Sequence, residues 1–231
     1  MIAPEEFMSW LGRPVRLLPI LALFVLAASC GNFFPSESSI QSVVVAPTAI
    51  LLEAGATPAD TYQLAATVTT VGDTTVTTGT TWASYPTSVA TVDTTTGLVT
   101  AATGAGGNAT ATITATNGEQ SGTAAVLTYA APAPTSITIY TNPADLSPSV
   151  SPNQTFQLVV SPGSSTTINW ASYVSWASSN TTYATVSAAG LVTVSSSAPA
   201  GATFTITATA NFGTAAATGT LTATSTTFTV A

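Results

Sequence analysis

Two stretches of the chain are versions of one sequence, and their shared pattern decides the fold. Residues 82–100 read WASYPTSVATVDTTTGLVT, and residues 176–193 read WASSNTTYATVSAAGLVT. Each stretch begins with a tryptophan and ends with Gly-Leu-Val-Thr. The separation of Trp82 and Trp176 is the length of a whole small domain and too long for a solenoid unit. The repetition therefore predicts two related domains in tandem.

Charged residues are rare and unevenly distributed. They make up 5% of the 231 residues, the formal net charge is −7, and there is no histidine. The two basic side chains, Arg13 and Arg16, both precede the repeats. Because nucleic acid binding requires basic side chains that neutralise phosphates, the composition argues against nucleic acid as a partner. Abundant threonine and valine favour β-strands.

The first 29 residues have the pattern of an export signal. Arg13 and Arg16 precede an apolar run at residues 17–28. This run is too short to span a bilayer, which takes about 20 residues. Basic residues followed by a short apolar run and small residues predict a secretory signal peptide over residues 1–29.

The end of this segment, LAASC at residues 26–30, resembles the lipobox of bacterial lipoproteins. The resemblance implies that Cys30 is acylated, becomes the first residue of the mature protein and anchors it in a membrane. Gly31 resembles an outer-membrane sorting signal, and residues 30–39 are expected to form a tether. Cys30 is the only cysteine, so an intrachain disulfide is excluded. The alternative is an ordinary signal peptide with an incidental cysteine.

Residues 40–130 are predicted to form the first domain, because short strand patterns recur about every ten residues. Residues 109–116, ATATITAT, place alanine or isoleucine at odd positions and threonine at even positions. This alternation is typical of a strand with one buried and one hydroxylated face. Asn117-Gly118 then predicts a type I′ hairpin turn. The pattern as a whole indicates an antiparallel sandwich. Its predicted core residues include Trp82, Leu98 and Ile113.

Residues 135–231 are predicted to form the second domain with the same order of strands. Residues 131–134 read APAP, and two prolines make this linker semi-rigid. We therefore expect the two domains to sit end to end. The predicted core residues of the second domain include Trp176, Leu191 and Ile206.

The two repeats resemble the bacterial Ig-like domain family, group 2. The family pattern is a tryptophan strand followed by Val-Ala-Thr-Val, Gly-Leu-Val-Thr and Ala-Thr-Ile-Thr-Ala. The first repeat matches it at Trp82, Val89–Val92, Gly97–Thr100 and Ala111–Ala115. The second repeat matches it at Trp176, Tyr183–Val186, Gly190–Thr193 and, more loosely, Thr205–Ala208. The resemblance implies an all-β fold of two tandem immunoglobulin-like antiparallel β-sandwiches.

The same resemblance implies a role in the cell envelope. Such domains occur in tandem in invasin-like and intimin-like adhesins and in other envelope proteins, often as spacers. The two repeats depart from the family in lacking lysine, and within residues 40–231 the pattern predicts no lectin-like cap domain of the kind that binds receptors in such adhesins.

The sequence offers little chemistry for catalysis. Without histidine, no histidine-dependent triad or imidazole metal ligand is available. The carboxylates are scattered, with no Asp-x-Asp spacing that would indicate calcium. Asp93 precedes a turn and is interpreted as a turn cap. We expect no enzyme activity, no cofactor and no metal.

Trp170 has no counterpart in the first repeat and allows two interpretations. If the segment is extended, Trp170 lies on the same face as Trp176 and packs in or near the core. Alternatively, it is an exposed platform for stacking on sugars, with Tyr173 and Tyr140 as further candidates.

The final stretch, from Thr220 to Val230, is unusually long for one strand. Its alternation changes parity once, which predicts a bulge or break near Ser225. Residues 225–231 either complete the second domain or pair with the sheet edge of a neighbour to build a filament.

Together these patterns predict a lipid-anchored, non-enzymatic envelope protein at the outer membrane or cell surface, with a structural spacer or adhesion role. The alternatives are a carbohydrate-binding surface module and a subunit of an extracellular filament. The expected partners are the membrane, through acylated Cys30, and a surface polysaccharide, a protein or another copy of the chain.

Overall fold

The computed structural model describes residues 36–142, 146–163, 169–215 and 219–231. The predicted signal peptide, Cys30 and residues 31–35 of the tether lie outside the described residues. Within the described ranges, no helix is long and apolar enough to cross a membrane. The regular structure of these ranges is all β, apart from one short 3-10 turn.

The first repeat contains ten strands. In chain order they are β1 (Ile40–Ala46), β2 (Ala49–Glu53), β3 (Thr61–Gln63), β4 (Ala65–Thr70), β5 (Thr75–Val76), β6 (Thr81–Tyr85), β7 (Ala90–Val92), β8 (Leu98–Ala101), β9 (Thr110–Asn117) and β10 (Gln120–Tyr129).

These ten strands form a sandwich around one core. The strand orders in the sheets are β1-β4-β5, β3-β8-β7 and β2-β10-β9-β6. Neighbouring strands are antiparallel, except for the parallel pair of β2 and β10. All three sheets contribute buried side chains, among them Val45, Val68, Trp82, Val99 and Ile113. The predicted all-β sandwich is confirmed.

Strand β9 has the alternation that its sequence predicts. Ala111, Ile113 and Ala115 are buried, while Thr110 and Thr112 are exposed. The alanine and isoleucine side chains at odd positions face the core, and the threonine side chains at even positions face outward.

The hairpin after β9 differs from the prediction. Asn117 still pairs with Gln120, so the turn consists of Gly118 and Glu119. Of these residues only Gly118 has a positive φ, at +59°. One positive φ at the first turn position fits a type II′ turn, and the type I′ prediction is wrong.

The described part of the second repeat also contains ten strands. They are β11 (Ile137–Asn142), β12 (Ser149–Val150), β13 (Thr155–Pro162), β14 (Ser175–Ser178), β15 (Ala184–Val186), β16 (Leu191–Val194), β17 (Thr203–Phe204), β18 (Ile206–Asn211), β19 (Thr220–Thr224) and β20 (Phe228–Val230), with a 3-10 turn at Ala171–Tyr173 between β13 and β14.

The second sandwich repeats the pairing of the first. Its sheets have the orders β11-β13-β16-β15, β12-β20-β17 and β14-β18-β19. Ile206 is fully buried in the core. The Phe228 ring lies 4.8 Å from the Phe156 ring and 5.4 Å from the Phe204 ring, measured between centroids. Three phenylalanines thus fill the centre of this core.

The last strand completes its own domain. β19 pairs with β18, and the strand is interrupted at residues 225–227. β20 then lies between β12 and β17. The break near Ser225 is confirmed. Phe228 and Val230 are each 1% exposed, so residues 228–230 are not a free strand available to a neighbour.

Two predicted core residues face the solvent instead. Leu98 is 38% exposed and Leu191 is 42% exposed. In β8 the next residue, Val99, is buried, and in β16 Val192 is buried. The alternation of the strand allows only one of two adjacent apolar residues to face the core, so the prediction for Leu98 and Leu191 is wrong.

Candidate functional site

A second apolar cluster joins the two repeats. Strand β2 supplies it because Ala49-Ile50-Leu51-Leu52 is buried on both faces. Ile50 and Leu52 face the first core, while Leu51 faces the second repeat. The buried members of this inter-repeat cluster are Leu51, Leu127 and Tyr129 from the first repeat and Ile137, Val160, Trp170, Val174, Ala208, Ala210 and Phe212 from the second. We call this contact region the joint.

Three aromatic rings form the centre of the joint. The Phe212 ring meets the Tyr129 ring edge-on, with centroids 5.5 Å apart and planes at 81°. The Trp170 ring lies 6.2 Å from the Phe212 ring, with planes at 62°. Edge-to-face pairs of this kind add favourable interaction energy to the burial of apolar surface. Phe212 therefore connects an aromatic residue of each repeat.

Backbone hydrogen bonds reinforce the joint. Leu51 and Phe212 form a parallel β-bridge, and Gly213 N donates to Leu51 O at 2.9 Å. Asn211 Nδ2 donates to Ala49 O at 3.2 Å. The end of β18 thus covers part of the edge of β2, which would otherwise present unpaired backbone groups.

A buried carboxylate ties the two repeats together. Asp60 of the first repeat is 1% exposed. Its Oδ2 accepts a hydrogen bond from Glu53 N at 2.7 Å, and its Oδ1 accepts one from Ala215 N at 2.8 Å. Thr214 Oγ1 also lies 3.3 Å from Oδ1. Hydrogen bonds from both repeats compensate the cost of burying this charge.

Gly213 is the residue that the Asp60 contact requires. A Cβ atom at position 213 would overlap the Asp60 carboxylate. The close approach of the second repeat to Asp60 therefore depends on the missing side chain.

The joint contains two buried polar atoms without a hydrogen-bond partner, Tyr129 Oη and Trp170 Nε1. Burial raises the pKa of Tyr129 far above its ordinary value, and the nearby Asp60 and Glu53 carboxylates raise it further. The phenol therefore stays neutral throughout the physiological pH range.

Trp170, one candidate for a sugar platform, lies in the joint. Trp170 is only 3% exposed, and Tyr173 and Tyr140 are half-buried. The segment after Trp170 is a 3-10 turn rather than an extended strand, and Trp176 Nε1 donates to Ala171 O at 2.7 Å. Because Trp170 packs against the other repeat, the interpretation that it packs in or near a core is confirmed, and the alternative of a sugar-stacking platform is wrong.

The remaining predicted residues have local roles. Trp82 and Ile113 lie in the first core, and Trp176 is half-buried between the joint and the second core. Asp93 Oδ1 accepts hydrogen bonds from Thr96 N, Thr95 N and Thr96 Oγ1, which lower the pKa of this carboxyl. Asp93 is therefore a turn cap.

The joint residues Asp60, Tyr129 and Phe212 did not stand out in the sequence. One available signal was the unbroken apolar run at residues 49–52, which is typical of a strand buried on both faces. A second signal was the hairpin between β18 and β19. It spans residues 212–219, whereas the corresponding hairpin of the first repeat has two residues.

The described residues contain no group of three or more His, Cys, Asp or Glu side chains that could hold a metal ion. The arrangement at Asp60 shows what its carboxylate does instead, since both oxygens accept hydrogen bonds from backbone amides.

Comparison with known proteins agrees with the fold of the second repeat. Residues 134–221 match the family model of the bacterial Ig-like domain (group 2). This match covers less than half of the chain and includes all the buried joint residues contributed by the second repeat. The comparison with curated proteins found no match.

Solved structures of low identity are similar to parts of the chain. Domains 5–6 of the S-layer protein SbsC are 15% identical to this chain, with a TM-score of 0.33. The aligned region covers 83% of this chain and 97% of the SbsC fragment. Drosophila N-cadherin EC1-4 is 12% identical at a TM-score of 0.31, with 82% of this chain and 49% of that one covered. The chain thus spans about half of the N-cadherin fragment. Mouse cadherin-23 EC22-24 is 14% identical at a TM-score of 0.31, covering 82% of this chain and 66% of that one.

Proposed function

We propose that this protein is a non-enzymatic, lipid-anchored spacer of the bacterial cell envelope. The observation that carries the proposal is the joint, in which a shared apolar cluster and a buried carboxylate hold two sandwiches together. Domains connected only by a linker move relative to one another, whereas a large apolar contact restricts that motion. A fixed pair of sandwiches is suited to holding a surface group at a set distance from the membrane.

The N-terminal sequence supports the anchor. The lipobox-like LAASC at residues 26–30 and the short tether that follows would leave the two domains close to the bilayer surface. Two or three acyl chains on Cys30 would hold the protein firmly, since a single chain gives only reversible binding.

The joint supports a pair of domains rather than a filament built by repeating the same contact. In the first repeat, Leu51 and Leu127 are directly paired and face the second repeat. The corresponding outward-facing pair of the second repeat is Ser149 and Thr229, and both are exposed. The hydroxylated surface of the second repeat lacks the apolar side chains that this contact needs.

Two measurements on cells test the proposal. Labelling with an alkyne analogue of palmitate is expected to modify the wild-type protein and to fail for Cys30→Ser. Proteinase K is expected to digest the protein on intact cells while a periplasmic control survives. An unlabelled wild-type protein would reject the anchor, and protection together with the control would replace a surface location by a periplasmic one.

A further inference from the structure

A row of outward-facing side chains crosses the larger sheet of the first repeat and ends beside the joint. Tyr85 of β6 pairs with Thr112 of β9, Thr112 pairs with Ala125 of β10, and Ala125 pairs with Ala49 of β2. Directly paired residues share one face of a sheet, and their Cβ atoms lie about 5 Å apart. These four residues therefore form a continuous strip on the face opposite the first core.

The strip leads into a groove between the two repeats. The groove has a volume of about 330 Å³, at the lower end of the range for small-ligand sites. The first repeat provides its floor, and the second repeat provides a wall that begins just after Trp170. The lining residues are Thr48, Ala49, Thr112, Thr123, Ala124 and Ala125 on the floor and Ser172, Val174 and Ala188 on the wall.

The lining of the groove is mainly apolar and uncharged, which favours a neutral ligand that has apolar faces as well as hydroxyls. Four of its lining side chains, those of Thr48, Thr112, Thr123 and Ser172, carry hydroxyls, and none is charged. A hydroxyl both donates and accepts hydrogen bonds, so it can pair with sugar hydroxyls in either direction. The groove offers no countercharge for an anion or a cation, and that disfavours charged ligands.

Tyr85 supplies the stacking surface at the open end of the strip. Its side chain is 81% exposed, and it is the only fully exposed aromatic residue in the part of the chain that the structure describes. An aromatic ring with an apolar face and a polar tip matches a sugar ring, which also has apolar faces and a polar rim. Tyr85 is thus placed to bind a sugar whose neighbour enters the groove.

We propose that the groove between the repeats, together with Tyr85, binds a neutral polysaccharide. The site differs from the alternative of a platform at Trp170, since Trp170 instead anchors the wall that contains Ser172 and Val174. The site is complete only when the joint is formed, because neither repeat alone provides both the floor and the wall.

Affinity electrophoresis of the full-length protein tests the proposal. The protein is kept in a detergent without a sugar headgroup and run in native gels that contain dextran, mannan, soluble starch or, as a charged comparison, polygalacturonate. We expect at least one neutral polysaccharide to retard the wild type. Tyr85→Ala is expected to weaken that binding at least tenfold, while Tyr85→Phe retains it because the ring is kept.

Two further variants separate the groove from general surface effects. Ser172→Leu fills the groove and is expected to abolish retardation without changing the melting temperature. Val44→Ala removes a side chain that is 57% exposed on another sheet, and it is expected to bind like the wild type. The proposal is overturned if no neutral polysaccharide retards the protein, if polygalacturonate retards it more strongly, or if Tyr85→Ala and Ser172→Leu both bind normally.

Discussion

The repeated Trp and Gly-Leu-Val-Thr motifs have a direct physical explanation in a contact between tryptophan and glycine. A Cβ atom on Gly97 would lie 2.7 Å from the Trp82 indole, and one on Gly190 would lie 2.8 Å from the Trp176 indole. Both glycines also have a positive φ, +76° and +80°. Each tryptophan therefore packs on a turn that only glycine can form.

Gly97→Ala is expected to destabilise the first domain by roughly 2–4 kcal/mol, since backbone strain and overpacking combine at this position. Gly55→Ala is the matched control, because Gly55 has a φ of +72° but no atom within 4 Å of an added Cβ. The control should show only the strain, about 1 kcal/mol. Urea unfolding of both variants measures the difference, and equal losses would reject the Trp82 contact as the cause.

Asp93 makes the free energy of unfolding of the first domain vary with pH in the acidic range. Amides of Thr96 and Thr95 and the Thr96 hydroxyl lower the pKa of this exposed carboxyl below its ordinary value. The contribution is present above the ordinary pKa of aspartate and is lost as the pH falls through the lowered folded-state value. Thermal melting from pH 5 to pH 2 should therefore show a smaller decline for Asp93→Asn than for the wild type. Parallel declines would contradict the cap.

Asp60→Asn is expected to weaken the joint, because the amide keeps the shape but offers only one acceptor oxygen. One of the two backbone amides, Glu53 N or Ala215 N, would then face a donor. Hydrogen bonds to charged groups contribute about 1.5–3 kcal/mol, and we expect a loss of that order in thermal unfolding. Asp93→Asn at neutral pH is the control for loss of one negative charge outside the joint, and its smaller effect distinguishes the two roles.

The sequence predicts where the strands lie better than it predicts which face of the sheet each side chain occupies. In β9 the two parities differ in polarity, so Ile113 and its neighbours were assigned correctly to the core. In β8 the residues Leu98 and Val99 are both apolar, and the sequence contains no polarity difference that separates them. Contacts with other strands decide which one is buried, among them the pairing of Val99 with Tyr62, which is distant in the chain.

The hairpin between β18 and β19 carries much of the contact of the second repeat with the first. Its residues from Phe212 to Ala215 contact Leu51, Asp60 and Thr61. Its greater length is visible in the sequence, but its target is not, because hydrogen bonds such as that from Ala215 to Asp60 join residues far apart in the chain. The same reason explains why the sequence did not show that the segment after Trp170 is a 3-10 turn and not an extended strand.

Phe212→Ala is expected to cost about 3–5 kcal/mol, the usual loss for a buried phenylalanine. Because Phe212 packs in the joint, the loss should appear as separation of the melting of the two domains into two transitions in calorimetry. Phe228→Ala is the matched control, since Phe228 lies in the second core and does not contact the first repeat. It should lower the stability of the second domain only. A single, uniformly shifted transition for Phe212→Ala would mean that the ring does not couple the domains.

The joint restricts the relative orientation of the two domains more than the linker prolines alone would. A semi-rigid linker alone permits a range of orientations, whereas an apolar cluster, a β-bridge and the Asp60 contact restrict the pair to one. The unbroken apolar run of β2 is typical of a strand buried on both faces, but the sequence does not identify the partner, since contacts between distant segments depend on the final fold. A fixed orientation is also what completes the groove beside Tyr85, so the spacer role and the binding site depend on the same contact.

Distances between spin labels on the two domains test whether the joint is rigid. Labels on Thr91→Cys and Thr229→Cys, both exposed positions, can be introduced in a Cys30→Ser background that removes the only native thiol. We expect one narrow distance distribution in pulsed electron paramagnetic resonance. Leu51→Asp places a charge in the joint and should broaden the distribution severalfold, because an unpaired buried charge is strongly unfavourable. Leu98→Asp adds the same charge at an exposed position and should leave it narrow. A broad distribution in the unsubstituted joint would mean that the two sandwiches move independently, which would remove the basis for a spacer of fixed length.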